Sequence, residues 1–494
     1  MRTFPPPFST ALAVPLAAIL IFSIGCGGGT GSIIVPPDPS IKHVVVIVQE
    51  NRSPDNLFQD PVLISRHADI SSVGVNSQHV SIPLQPTSLT QNYDLSHAHS
   101  AYLAQYDDGK MDGADLVKID CPKGSAPCPC SQYATQHGLS CPLSNPQFYY
   151  VDPAEVQPYF TMAETYTFGD NMFQNNQGPS FPAHQYIISG TSTMGTNAPG
   201  GDANLFMAEN PPNGIAGSNQ AGCASASDTI VRLIDISNPD ITTNETQSAY
   251  PCAEHPTLID LLDKNKITWK YYAPSPGSIW TGPNAIQHLC GPNAAPPNAT
   301  ACASADWNNN VIQPDNVRIL TDISSGNLAT VSWVIPAGQA SDHALSTDGT
   351  GPSWVASIVN AIGNSPYWQN TAIIITWDDW GGWYDHVSPQ PYLVPNNSYE
   401  QGFRVPLIVI SPYAKPAYIS KVHHDFGSIL KFIETTFKLP SVDPNGTYAD
   451  SRADDLSDCF DFTQTPLTFS TIAAPLKADY FLNNKEKALD PDDD

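Results

Sequence analysis

Positive charge is scarce in this chain. Lysine and arginine number 21 against 47 aspartates and glutamates, which gives a formal net charge of −26 at pH 7. That balance excludes a polyanion such as nucleic acid as the main partner, because such binding is dominated by basic contacts to phosphate. A phosphate-bearing ligand would need local positive charge, from a metal or from Arg and His inside a site. Long apolar runs are also missing: Ala11–Ile24 is too short to span a bilayer comfortably. No internal repeat is present, so the length reads as one large domain with insertions or as two or three domains. The cysteine cluster Cys121, Cys128, Cys130 and Cys141 lacks the paired C-x2-C form, which ranks a cysteine zinc site below disulfides.

What is present begins with an export pattern. Arg2 precedes the apolar run, which ends in Ser23-Ile24-Gly25-Cys26. This resembles a bacterial lipoprotein cleavage box, with Ser23 where Leu is usual. Residues 1–26 are therefore expected to be a signal peptide. Either Cys26 is lipidated and tethers the protein to a membrane surface, or the chain is secreted after cleavage nearby. The Gly- and Pro-rich tract 27–40 reads as a flexible tether. Nine further cysteines fit disulfides in an exported protein, which would be periplasmic, outer-membrane-anchored or extracellular. Cys290 with Cys302 and Cys223 with Cys252 are candidate pairs, and Cys459 is the odd one out.

The stretch Thr371–Val387 is the most informative. Thr371 to Thr376 is uncharged and β-branched, as in a strand buried on both faces. It breaks into Asp378-Asp379, Trp380 and Gly381-Gly382. Two adjacent carboxylates at the end of a buried strand repel one another unless a cation or a shared proton compensates them. In open α/β sheets ligands bind beyond the carboxyl ends of the strands. A divalent-metal site is thus the leading reading, against a solvated acidic turn. His43–Val48 repeats the logic and leads into Gln49-Glu50-Asn51-Arg52-Ser53, where a carboxylate beside a carboxamide offers two oxygen ligands. The alternative there is Glu50 paired with Arg52 at a turn.

Four further positions carry potential chemistry. His97 and His99 lie near the start of a short helix, where a capping or surface role is the common one. Ser180 stands between Pro179 and Phe181-Pro182; rigid flanks and a nearby metal would let its hydroxyl lose a proton and attack phosphorus. His343 follows the strand Thr330–Ile335 and its Pro/Gly turn. Further strands are expected at Ile267–Tyr272 and Gly402–Pro412. Amphipathic helices are expected at His255–Lys266, Ser353–Ile362 and Asp425–Leu439, the last with Asp425 as N-cap. Strands alternating with helices predict a doubly wound α/β fold with a mainly parallel sheet sandwiched by helices. The catalytic domain would span 41–480, with loop-rich insertions near 114–150, 192–252 and 275–312. Residues 481–494 would form a solvated acidic tail.

Taken together, Q-E-N-R-S at 49–53, D-x-x-H at 94–97, G-K-M-D-G at 109–113, G-P-S-F-P at 178–182, W-D-D-W-G-G-W-Y-D-H-V at 377–387, R-V-P-L-I-V-I-S-P at 404–412 and F-G-S-I-L-K-F-I-E at 426–434 resemble the bacterial phosphoesterase family. That family contains the non-haemolytic phospholipases C and a respiratory-burst-inhibiting acid phosphatase. The resemblance spans roughly residues 41–465 and implies an alkaline-phosphatase-like core. It implies one divalent metal ion bound by Glu50, Asn51, Asp378 and Asp379, with Ser180 as both ligand and nucleophile. His97 and His343 match histidines that contact the phosphoryl oxygens or protonate the leaving group, and His386 supports them from behind. Pro54 departs from the family's usual aromatic, and His423 and His424 fall where members vary. The implied substrate is a phosphate ester or a phospholipid. No C-x-P-x-R signature for a sulfatase nucleophile is present. The reading from another class is a catalytically inactive cell-surface binding protein on the same fold.

Overall fold

A computed structural model describes residues 41–122, 125, 127–139, 143–198, 200–211, 221–390 and 399–484. The expected signal peptide with Cys26, the tether 27–40 and most of the acidic tail lie outside the described residues. Among those described, no helix is long and apolar enough to cross a membrane.

The centre of the fold is an eight-stranded sheet. Its strands are β1 (His43–Gln49), β2 (Thr167–Gly169), β3 (Trp269–Tyr272), β4 (Val311–Ile312), β5 (Val331–Val334), β6 (Thr371–Trp377), β7 (Leu407–Ile410) and β8 (Tyr418–Ser420). Their order is β4-β3-β5-β1-β6-β7-β2-β8. All run parallel except β7, which is antiparallel to both neighbours. The uncharged run Val44–Val48 has no exposed surface on either face, as the continuous β-branched sequence predicts. Gln49 pairs in register with Trp377, so β1 and β6 end level with each other. The residues that follow them, Glu50-Asn51 and Asp378-Asp379, are brought to one place by that register.

Seven helices matter for the site: α1 (His99–Tyr106), α2 (Gln157–Thr165), α3 (Ser180–Ser189), α4 (Leu258–Lys264), α5 (Arg318–Ser324), α6 (Gly351–Gly363) and α7 (Phe426–Phe437). α6 packs with α2 and α5, and α3 packs with α4 and α7. Asp425 caps α7 in a reciprocal box with Ser428, and Phe426, Ile429, Leu430 and Ile433 are buried. α4 starts later than expected because Thr257, behind Pro256, is its N-cap. The strand expected over Gly402–Pro412 joins the central sheet only from Leu407, after Pro406, which has no N–H to donate; before it, Arg404 bridges Phe173 and Val405 N donates to Met172 O.

The loop-like stretches carry structure. Leu205–Met207, Val231–Asp235 and Gln247–Ala249 form a small antiparallel sheet. The 275–312 stretch ends in β4, which pairs with β3 at the sheet edge. Cys121–Cys128, Cys223–Cys252 and Cys290–Cys302 are disulfides, and Cys130 is disulfide-bonded too. The described cysteines of that cluster, Cys121, Cys128 and Cys130, are therefore in disulfides, Cys141 lies outside the described residues, and Cys459 is free and buried.

Candidate active site

Glu50 and Asn51 leave β1, Asp378 and Asp379 leave β6, and Ser180 opens α3. All five are buried. The backbone makes the first contacts. The Asp378 Oδ1 accepts from Asn51 N at 3.1 Å and from Asp379 N at 2.8 Å, and the Asp379 Oδ1 accepts from Gly381 N at 2.8 Å. These bonds fix the carboxylates and leave their second oxygens facing inward. The Ser180 hydroxyl donates to Asp379 Oδ2 at 3.1 Å and lies 3.5 Å from Asn51 Oδ1. Asn51 adopts φ 61°, the left-handed conformation that asparagine tolerates best among side-chain-bearing residues and that recurs at functional sites.

Both predicted histidines are present. His97 is fully buried. Its Nδ1 donates to Leu95 O at 3.0 Å, and its Nε2 accepts from the Asn51 amide at 3.0 Å. His343 is buried with its ring centroid 5.7 Å from that of His97, and its Nδ1 lies 2.6 Å from Ala344 O and 4.0 Å from Asp94 Oδ2. Arg52 does not pair with Glu50. It is wholly buried and donates twice to Asp342 O, at 2.9 and 2.6 Å, holding the loop that carries His343. Asp342 takes bonds from Tyr159 and Trp377, and burial, opposed by Arg52, pushes its carboxyl up to about 6.

His184 is the residue that sequence reasoning missed. It lies one turn after Ser180 on α3, so both face the same way. The i, i+4 spacing was the available signal, but Pro179 and Pro182 concealed the helix; both prolines fall at its start, where no N–H partner is lost. The Tyr271 hydroxyl donates to Trp280 O at 2.7 Å, so His184 Nδ1 is the donor in its 3.3 Å contact with that hydroxyl. The bare Nε2 then faces Glu50 Oε1 at 3.2 Å and Asp378 Oδ2 at 3.7 Å. Burial, against the pull of Asp378, lowers His184 to about 4, so it stays neutral. His386 and His99 lie apart from this cluster. His386 braces Asp55 and Asp69 beside the buried Asp385–Arg404 pair, and His99 pairs with Glu245.

The donor set fits a divalent cation. Glu50 Oε2 and Asp378 Oδ2 are buried and accept no hydrogen bond. Burial and the charge of Asp378 raise both Glu50 and Asp379 well above the ordinary carboxyl range. Carboxylates, an amide oxygen and a neutral imidazole converge here, and Glu50, His184 and Asp378 could hold an ion between them.

The fold and the site define an α/β protein with a buried acidic centre and a serine hydroxyl at the carboxyl edge of a mainly parallel sheet. The chain belongs to the Phosphoesterase family, whose profile matches residues 41–440. It is 22% identical over 515 aligned positions to a non-hemolytic phospholipase C of Burkholderia pseudomallei, covering 94% of this chain and 63% of that protein. It is 32% identical over 167 residues to phospholipase C A of Mycobacterium tuberculosis, covering 29% of this chain and 32% of that protein. Against the hemolytic phospholipase C of Pseudomonas aeruginosa, identity is 22% over 457 residues, 85% of this chain and 56% of that one. The chain thus matches less than two thirds of the length of these relatives. Among solved structures it is similar to an alkaline phosphatase superfamily protein from Vibrio parahaemolyticus, with TM-score 0.35, 9% identity and coverage of 84% and 70%.

Proposed function

We propose that the protein hydrolyses phosphoric esters with Ser180 as nucleophile. The observation that carries this reading is the Ser180 hydroxyl at the start of α3, 3.1 Å from Asp379 Oδ2 and among Glu50, Asn51 and Asp378. A divalent cation held by Glu50, Asn51, Asp378 and Asp379, with His184 beside them, would supply the charge that stabilises a serine alkoxide and a phosphoryl group. The protein's own groups do the rest. Asp379 Oδ2 orients the Ser180 hydroxyl and stands where its proton leaves. The amino end of α3 presents positive dipole to the phosphoryl oxygens. His97, locked by Leu95 O and Asn51, and His343 beside it contact those oxygens or give a proton to the leaving alcohol. Water then hydrolyses the phosphoseryl ester, freeing the Ser180 hydroxyl and releasing phosphate from a monoester substrate or a phosphomonoester from a diester.

Relatives named phospholipase C, together with the lipoprotein-like start, favour a lipid diester over a monoester, and the disulfides favour an exported protein. The test is hydrolysis of p-nitrophenyl phosphate beside p-nitrophenylphosphorylcholine, with and without chelator, for wild type and Ser180→Ala. Chelator-sensitive turnover that Ser180→Ala abolishes is expected. Turnover retained in a folded Ser180→Ala variant overturns the nucleophile. Choline-diester turnover identifies a phospholipase C, and monoester turnover alone a phosphatase.

A further inference from the structure

A second cluster of metal-ligating groups lies outside the acidic centre, at the carboxyl end of the outermost strand β8. His424 sits just before α7, and Asp458 and Cys459 share the turn Ser457–Cys459. The imidazole and the thiol are fully buried, and the Asp458 side chain is 21% exposed. His424 Nε2 is 3.4 Å from Asp458 Oδ1 and 4.0 Å from Cys459 Sγ, and that sulfur is 3.6 Å from Asp458 Oδ1. Zinc bonds of about 2.0–2.3 Å at tetrahedral angles put N, O and S ligands about 3.3–3.6 Å apart. The three edges are therefore within about half an ångström of a zinc tetrahedron before any ion is added.

The surroundings have the form that supports a metal-bound imidazole. His424 Nδ1 donates to Asp454 Oδ1 at 2.9 Å, and Asp454 is itself held by Ser428 Oγ and Leu456 N. A carboxylate behind a histidine in this way fixes the ring and directs Nε2 at the metal. Ser420 Oγ, 2.9 Å from Nε2 and 2.5 Å from Asp458 Oδ2, reaches the same point. A salt bridge between His424 and the two aspartates would not need the thiol. Cys459 is the one described cysteine that forms no disulfide.

We infer that His424, Asp458 and Cys459 form a binding site for a zinc-class transition-metal ion, with Ser420 or water as fourth ligand. The soft thiolate separates this site from the oxygen-rich acidic centre. Binding displaces the thiol proton and the Nε2 proton to solvent while Asp458 enters as carboxylate. The ion would clamp the segment 454–459 to the sheet edge and to the start of α7. The inference does not depend on the phosphoesterase reading.

The test is Co2+ titration of the full chain, stripped of metal and kept free of added thiol, for wild type, Cys459→Ser and the acidic-centre variant Asp378→Asn. A thiolate-to-Co2+ charge-transfer band is expected at one equivalent in Asp378→Asn, where the acidic centre is weakened, and by two equivalents in wild type, where both sites fill; it should vanish in Cys459→Ser. Absence of the band in wild type, or its persistence in Cys459→Ser, overturns the site. X-ray absorption of zinc-loaded Asp378→Asn gives a reading that does not require Cys459→Ser to fold. One sulfur scatterer per zinc supports the site, and only nitrogen and oxygen scatterers refute it.

Discussion

Replacing Gly381 by Ala should cripple the enzyme through Asn51 without unfolding the protein. Gly381 sits at φ +63°, and a Cβ there would stand 2.3 Å from Asn51 O and 2.8 Å from Asn51 Cβ. Real Cβ contacts are essentially never under 3.0 Å, so one backbone must yield by at least about 0.7 Å. The displaced residue is Asn51, whose amide holds His97 and faces Ser180, or Gly381, whose N–H holds Asp379. A misplacement near 1 Å in a catalytic constellation costs about 10²-fold, so kcat/KM should fall by that order. The left-handed backbone adds about 1–2 kcal/mol of strain. Gly138 supplies the control: its φ is +66° and nothing lies within 4 Å of its Cβ position. Gly138→Ala should carry the same strain, about 1–2 °C of Tm per kcal/mol at this length, with activity unchanged. The assay is ester hydrolysis beside a melting curve for both variants. Gly381→Ala activity within about threefold of wild type would show that the close approach to Asn51 does not govern the site.

His184→Ala should weaken metal retention by about 10–100-fold in a competitive chelator titration, and unchanged affinity would remove His184 from the centre. For His386, burial alone would lower the pKa, but Asp55 and Asp385 outweigh it and raise the ring from 6.5 to about 9. A raised folded-state value stabilises fully below pH 6.5, and the contribution is lost as pH rises through 9. The Tm gap between wild type and His386→Gln should therefore narrow across that window, and a constant gap refutes the pairing. Removing the Cys223–Cys252 disulfide, with its separation of 29 residues, should cost about 3–4 kcal/mol, read from denaturant unfolding of the double Ser variant; a loss under about 1 kcal/mol would refute it.

Much of this architecture could be read from residue order, because both signals involved are local. Uncharged β-branched runs located β1, β5 and β6, and the acids placed just after two of them marked the centre. What stayed hidden depended on long-range pairing. Leu407–Ile410 has the same composition in either direction, so the antiparallel course of β7 came only with its neighbours. β4 is two residues long and has no pattern of its own. Arg52 beside Glu50 resembled a local ion pair, yet its partner is a carbonyl 290 residues away. The His386 pairing with Asp55, 331 residues distant, was equally out of reach of motif spacing.

The adjacency of Asp378 and Asp379 explains why the centre can be both acidic and buried. Neighbouring residues leaving a strand point their side chains apart, which would send one carboxylate away from the site. Here Asp378 Oδ1 gathers the N–H groups of Asn51 and Asp379, and Asp379 Oδ1 takes that of Gly381 at φ +63°. The glycine turn bends the chain enough for both carboxylates to converge. Each gives one oxygen to backbone donors and keeps the other for the site, Asp379 Oδ2 toward Ser180 and Asp378 Oδ2 toward His184. The backbone bonds offset part of the cost of burying charge, and a cation would offset the rest. The same turn explains the glycine: it is the position where the chain from β6 touches the chain from β1, and only a residue without Cβ lets the two halves of the centre meet.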